Sequence, residues 1–422
     1  MQESTQREGE VMTTNRAYHF IRYADKVFGL SRALEGLSDG REWAQIPLES
    51  VVATVILGLV CRLRSLNQIE EAVRGGGFDR ALGKMAKPSA DTIGYALERM
   101  KVEEVREYNS FIIQKARYNK VFSGGTVDGY VVVGIDGTEL FKTSAKSRRC
   151  GLCCVRVKES REEYYERVVA ASYVGEGPSL VLGMRRIEKG QGELGAGIEL
   201  MKELYWRNTR FCDVIVADAL YAASSFINEV DSQGKWVVIR VKQENREIIR
   251  DAEGLFSKRG PDYEEEGLKG FKGSRYDVRI WDEEGFTIWD KVRTPLRCLK
   301  VEEVRHSLKD GEPVSERSTS YIVTTCPKAL VKTITVWKIM HARWDIENEV
   351  FHEAKTYCSL GHCFIHDEVA TEVMWNLQVI ALNLFLLFMY RALREKVTHV
   401  GLARAILIGL ASLPEPVFVG TG

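Results

Sequence analysis

The chain has 422 residues, too many for one ordinary domain, so two or three are expected. Apolar residues at 45% and charged residues at 28% describe a soluble globular chain able to bury a large core. The 59 Lys and Arg balance the 59 Asp and Glu, so no global positive field points to nucleic acid, and any such contact must rest on local patches.

The opening MQESTQREGEVMTTNR (1–16) is polar and acidic, neither a signal nor a transit peptide, and reads as a disordered tail. With no secretory leader, the nine scattered cysteines point to reduced thiols in a cytoplasm. Residues 17–121 read as helical. IPLESVVATVILGLVCRLRSLNQIEEAVR (46–74) is an apolar-periodic helix pair with a join at Arg62 to Asn67. KPSADTIGYALERM (87–100) begins with Pro88 and a capping Ser89 and then runs helical. As the second helix of a helix-turn-helix it would hold nothing that reads bases distinctively. FSGGTVDGY (122–130) is a Gly-rich boundary.

From there the pattern becomes α/β. YVVVGIDGTEL is a β-branched run ending in Asp136, followed by the strands YYERVVAASYVG and SLVLGMRRI and the helix GELGAGIELMKELYWR. CDVIVADALY is a short strand ending in Asp218, before a helix over about 222–231 and the strand KWVVIRVK (235–242). Residues 130–242 thus predict the first part of a mixed sheet with flanking helices. Residues 243–330 mix charged, Gly-rich segments with strand-like RYDVRIWDEE, FTIWDKV and TSYIVTT, which predicts a β-rich inserted subdomain. Helices return over 331–395, and 396–422 reads as a C-terminal tail. VMWNLQVIALNLFLLFMY (373–390) approaches spanning length, but Asn376, Gln378 and Asn383 would be costly in lipid, so a buried core helix and no membrane contact are expected.

Asp136 and Asp218 each sit just past a hydrophobic strand, where open α/β sheets place their chemistry. Neighbouring parallel strands would bring them to one sheet edge, and Glu347, on the helix HARWDIENEVFHEAK (341–355), could close a triangle. Three clustered carboxylates repel unless cations hold them, and hard oxygen ligands suit Mg²⁺ or Mn²⁺. Taken singly, each residue has a plainer role: Asp136 as a hairpin residue, Asp218 as a helix N-cap, Glu347 as a solvated helix side chain.

Together GIDGTEL, VADALY and RWDIENEVFHEAK resemble the DDE transposases of bacterial insertion sequences, over about residues 130–390. The resemblance implies an RNase H-like, retroviral-integrase-like core with a β-rich insertion, and a helical N-terminal region for DNA binding or assembly. It implies Asp136, Asp218 and Glu347 as catalytic metal ligands for Mg²⁺ or Mn²⁺. It further implies cleavage at element ends and strand transfer into target, with double-stranded DNA and a homodimer or larger assembly as partners. The family's helix signature places Tyr, Arg, Glu and Lys at 340, 343, 347 and 354; Arg343 and Glu347 fit, whereas Met340 and Ala354 do not, and Lys355 comes one step late. The rivals are a nuclease of the same fold that cuts without joining, and a regulatory descendant that has lost its chemistry.

Other features keep two roles open. Arg343, one turn before Glu347, either meets a DNA phosphate or pairs with Glu347 itself. KTSAKSRRCGLCCVRVK (142–158) holds Lys146, Arg148 and Arg149 and no acid, as either a DNA-holding patch or a solvated loop; Lys355 joins these as a DNA contact. Cys150, Cys153 and Cys154 with Cys358, His362, Cys363 and His366 could form a structural Zn²⁺ site or be small buried thiols. Trp281 and Trp289 either stack on a displaced base or fill the core. Glu193 reads as a helix N-terminal residue favoured by the dipole.

Overall fold

A computed structural model describes residues 15–83, 85–144, 154–158, 160–242, 246–270, 274–309, 312–393 and 396–413. Its centre is one mixed sheet. β1 (Val132–Thr143), β5 (Val214–Ala217) and β6 (Trp236–Val241) run parallel, with Ile135 opposite Ala217 and Ala217 opposite Ile239. β3 (Arg161–Tyr173) pairs antiparallel with β1, and its other edge carries both β2 (Cys154–Lys158) and β4 (Val181–Arg186). All four β5 residues are buried, as expected of a central parallel strand covered on both faces.

The inserted strands β7 (Tyr263–Lys269), β8 (Arg275–Phe286), β9 (Leu296–Lys309) and β10 (Glu312–Thr324) continue this sheet, because β10 pairs antiparallel with β6 from Tyr321↔Val241 to Thr324↔Val238. FTIWDKV, expected as a strand, is largely the loop between β8 and β9. The charged run of β9 is a strand instead, since β8 and β10 satisfy its backbone on both sides.

Seven helices precede β1 among the described residues: α1 (Arg16–Phe28), α2 (Leu30–Glu35), α3 (Leu48–Val60), α4 (Leu66–Arg74), α5 (Asp79–Leu82), α6 (Ala90–Leu97) and α7 (Val102–Tyr118). The join between α3 and α4 falls where the sequence places it, and the Ser89 side chain caps α6 by accepting from Thr92 N–H. α8 (Glu193–Arg207), α9 (Ser224–Ser232) and α10 (Glu247–Phe256) connect the core strands. After β10 come α11 (Thr333–Ala342), a π-helical turn (Ile346–Phe351), α12 (His352–Tyr357) and α13 (Glu368–Leu387).

The helical stretch 368–392 is long and apolar enough to cross a membrane, but 89% of its most apolar window lies buried within the protein. Asn376, Gln378 and Asn383 each donate a hydrogen bond there. Asn383 accepts from Val181 N–H (2.9 Å) and donates to the Asn109 side chain and the Val181 carbonyl (both 2.8 Å), locking α13 to α7 and β4. Gln378 donates to the Cys358 carbonyl and Asn376 to that of Glu372. In place of a tail, His399–Ala411 forms α14, which buries Leu402, Ala403, Ile406 and Leu410. It packs on α1, where the Asn15 amide donates to the Gly409 carbonyl at 2.9 Å.

Two buried carboxylates of the inserted strands seat α11, and so aim the π-helical turn beyond it. Asp282 takes Arg297 Nε at 2.8 Å and the Thr333 hydroxyl at 2.6 Å, while Arg297 also donates to the Val331 carbonyl. Glu303 accepts from Trp337 Nε1 at 2.8 Å and lies 3.0 Å from His341 Nε2. Burial pushes the Glu303 carboxyl up, but these partners, with His341 the strongest, bring it below its ordinary range.

Candidate active site

The DG of GIDGTEL is not a turn. β1 runs on to Thr143, and Asp136 lies within it opposite Ala170 of β3. Because Ile135 faces Ala217 in the parallel register, Asp136 and Asp218 are the next residues on adjacent strands and emerge at the same end of the sheet. Asp218 does serve as an N-cap, its Oδ1 accepting from Leu220 N–H at 2.8 Å over the short 3₁₀ turn Ala219–Tyr221. Capping occupies one carboxylate oxygen and holds the side chain at the strand end.

Glu347 reaches the same place from the helical side. Ile346, Val350 and Phe351 are buried, with Ile346 packed toward Gly134 of β1, while Trp344 is half-buried beside His341. This turns Glu347 toward β1, in a π-helical turn of the kind often found at functional positions. Arg343 settles into the gap, its Nη1 2.8 Å from Glu347 Oε1 and 3.1 Å from Asp136 Oδ2. Of its two expected partners, the carboxylate is the one engaged here, and the guanidinium is 10% exposed.

The electrostatics follow from this bridge. Burial, reinforced by the hydrogen bond to Glu347 and opposed by Arg343, pushes Asp136 up to about 7. Glu347 is also raised by burial, but Arg343 and the Asp136 hydrogen bond outweigh that and hold it below the usual range, with Lys242 at the end of β6 adding to the effect.

Lys355 reaches back to β1, its Nζ 2.8 Å from the Thr138 hydroxyl. Lys146, Arg148 and Arg149 lie outside the described residues, as do Cys150 and Cys153. Cys154 sits 3.8 Å from the Ile187 carbonyl, Cys358 is buried, and Cys363 Sγ lies 3.4 Å from His366 Nδ1. Among the described residues no three His, Cys, Asp or Glu side chains stand ready as a metal-holding group, at the thiols or at the carboxylates.

Trp281 is a core strand residue, its Nε1 bonded to the Arg259 carbonyl at 3.0 Å. Trp289 lies in the loop after β8, half-buried, with the Arg246 guanidinium 4.3 Å over its ring and Arg246 Nη2 donating to the Ala222 carbonyl just past Asp218. Two acids received too little weight in the sequence. Glu193 lies against Gly137 of β1 and bonds Arg167 of β3 and Tyr221 beyond β5, and Asp345 accepts from Gly175 N–H at 2.9 Å, with burial pushing it up to about 7. The signal for Glu193 was the glycine after Asp136, which leaves room for a carboxylate.

A comparison with curated proteins yields no match. The family model described as "Transposase DDE domain" matches residues 198–384, a span that holds Asp218, Glu347, the inserted strands and most of α13. Asp136 lies before it and is joined to it by the β1–β5 pairing. Domains of this family process DNA and generally use divalent metal ions. Over residues 198–384 the chain is therefore similar to the transposase DDE domain.

Proposed function

We propose that the protein cuts DNA at insertion-sequence ends and joins the freed 3′-hydroxyl to target DNA, using Asp136, Asp218 and Glu347 as its acidic site. The observation that carries this is the convergence of Asp136 and Glu347 on one guanidinium, beside the strand end that bears Asp218. The donor set suits Mg²⁺ or Mn²⁺: all three are hard carboxylate oxygens, on rigid elements, and the site already holds a positive group between two of them. Bound there, such ions would activate the attacking water or hydroxyl and stabilise the leaving oxygen.

The chain's own residues do the rest. Asp136 offers its oxygens from within β1 and Asp218 from the end of β5, with one oxygen held by Leu220 N–H. Arg343 keeps the acids compatible without a cation, and its exchange of a carboxylate for a DNA phosphate makes room for one. Lys355 and the basic run with Lys146, Arg148 and Arg149 follow the DNA backbone. Trp289, backed by Arg246, is the aromatic placed to stack on an unpaired base beside Asp218. Two DNA ends call for a dimer or larger assembly on DNA.

The test is cleavage and joining on a supercoiled plasmid carrying the element ends, with Mg²⁺ or Mn²⁺. Asp136→Asn and Glu347→Gln should each lower the single-turnover rate by roughly 10³-fold or more while DNA binding survives. DNA binding without cleavage in the parent would favour a regulatory role, cleavage without joining a nuclease, and activity untouched by either substitution would remove these residues from the site.

A further inference from the structure

Glu193 opens α8, yet its carboxylate does not face solvent. It lies against the bare α-carbon of Gly137, where any Cβ would collide with it. Arg167, on β3, donates from Nη2 to Glu193 Oε2 at 2.7 Å, and the Tyr221 hydroxyl donates to Oε1 at 3.4 Å. Gly137 follows Asp136 directly, and Tyr221 closes the turn that Asp218 opens. One carboxylate thus touches the chain just after both aspartates.

The contact falls where the backbone stops doing that work. The β1–β5 ladder ends at Ile135↔Ala217, so no strand pairing sets the separation of residues 136 and 218. α8 is fitted to supply it. A Cβ at Gly197, one turn further on, would stand 2.5 Å from Tyr221 Cε1 and 3.3 Å from Ile135 Cδ1, so this glycine lets the buried Tyr221 ring sit between α8 and β1. A glutamate serving only the helix dipole would need neither glycine nor a half-buried arginine partner on the neighbouring strand. Burial, with the charge of Asp218 adding to it, raises the Glu193 carboxyl, as expected of an acid packed among the acids it spaces.

We propose that Glu193 is a positioning residue: acting through Gly137 and Tyr221, it sets the spacing of Asp136 and Asp218 so that both can reach the same divalent cation. Arg167 offsets its charge, so that spacing is gained with little added repulsion. The inference rests on the metal-dependent reading above.

The test measures Mn²⁺ binding to the full-length protein by electron paramagnetic resonance, beside single-turnover cleavage, for the parent, Glu193→Gln, Glu193→Asp, Tyr221→Phe and the control Asp136→Asn. Glu193→Gln should keep a cooperative melt and DNA binding while weakening Mn²⁺ binding and slowing cleavage, each by roughly tenfold or more, as loss of an outer supporting group does. Glu193→Asp should recover part of both, and Tyr221→Phe should show a smaller loss. A folded Glu193→Gln with parental Mn²⁺ affinity and cleavage rate overturns the inference. Should that variant not fold, Tyr221→Phe decides: weakened Mn²⁺ binding supports the inference, and parental binding overturns it. A parent that binds Mn²⁺ through Asp136 but leaves DNA intact counts against the transposase reading alone, and the Mn²⁺ titrations still judge Glu193. A parent that binds no Mn²⁺ overturns both.

Discussion

Two faces of the same short segment, Arg343 to Glu353, carry carboxylates in opposite electrical states. On one, Glu347 has Arg343 at 2.8 Å and is held below its ordinary range. On the other stand Asp345, Glu349 and Glu353, each four residues apart. Asp345 and Glu353 are both pushed up to about 7, by burial first and by the charge of Glu349 second. Their partners are weak: Gly175 N–H for Asp345, the Ser179 hydroxyl at 3.3 Å for Glu349, and His399 at 3.6 Å for Glu353. Burial raises the acids on both faces; only for Glu347, the most exposed of the shifted acids in this segment, does the guanidinium outweigh it, whereas the more deeply buried Asp136 stays raised with the same Arg343 at 3.1 Å.

Arg343→Ala should break this contrast most severely. It leaves the buried Asp136 and Glu347 apposed with no counter-charge, for a loss of about 2–3 kcal/mol in EDTA, discounted because Glu347 is half-exposed. Chemical denaturation with and without Mn²⁺ reads it, and Mn²⁺ should restore part of the loss. A parental curve in EDTA would mean that one of the acids simply takes up a proton at no cost.

The opposite face should respond with the opposite sign. Glu353 has a folded pKa of about 7, above its ordinary value of 4.5, so it favours the fold below about pH 4.5 and loses that advantage as pH rises through about 7. Glu353→Gln should then stabilise the protein by about 1–2 kcal/mol near pH 8 and change little near pH 4. Equal stability at both pH values would show that His399 already compensates the carboxylate. The smallest effect belongs to Ser179→Ala, which removes a long hydrogen bond to Glu349. It should cost no more than about 0.5 kcal/mol in the same titration, and a larger loss would mark Glu349 as the organising charge of that face.

Legibility in the sequence tracked how local each determinant is. The strand end at Asp218 and the capped start of α6 at Ser89 rest on neighbouring residues and could be read, whereas β1 runs past Asp136 to Thr143 because β3 pairs with it along that length. The charged β9 could not, since it becomes a strand only when β8 and β10 take up its backbone groups on both sides. α14 is not legible as a helix that packs, although Leu402, Ala403, Ile406 and Leu410 share one face, because that face is justified only by α1 packing against it. For the same reason the sequence does not choose between phosphate and carboxylate for Arg343: the identity of a guanidinium's partner is a matter of distance in space.

The order of the residues by itself determined the core strands of the α/β region, the apolar face that buries the Glu347 helix, and the polar triplet Asn376, Gln378 and Asn383 that marks α13 as an interior helix. Those follow from periodicity and from the cost of unsatisfied polar groups. Only the tertiary structure decided that the inserted strands extend the core sheet, that Arg343 bridges Asp136 and Glu347, and that Glu193 sits beneath Gly137 beside both strand ends. Each of these is a contact between residues far apart in the chain, and electrostatic energies depend on the ångströms that separate charges once folded, which spacing in sequence does not specify.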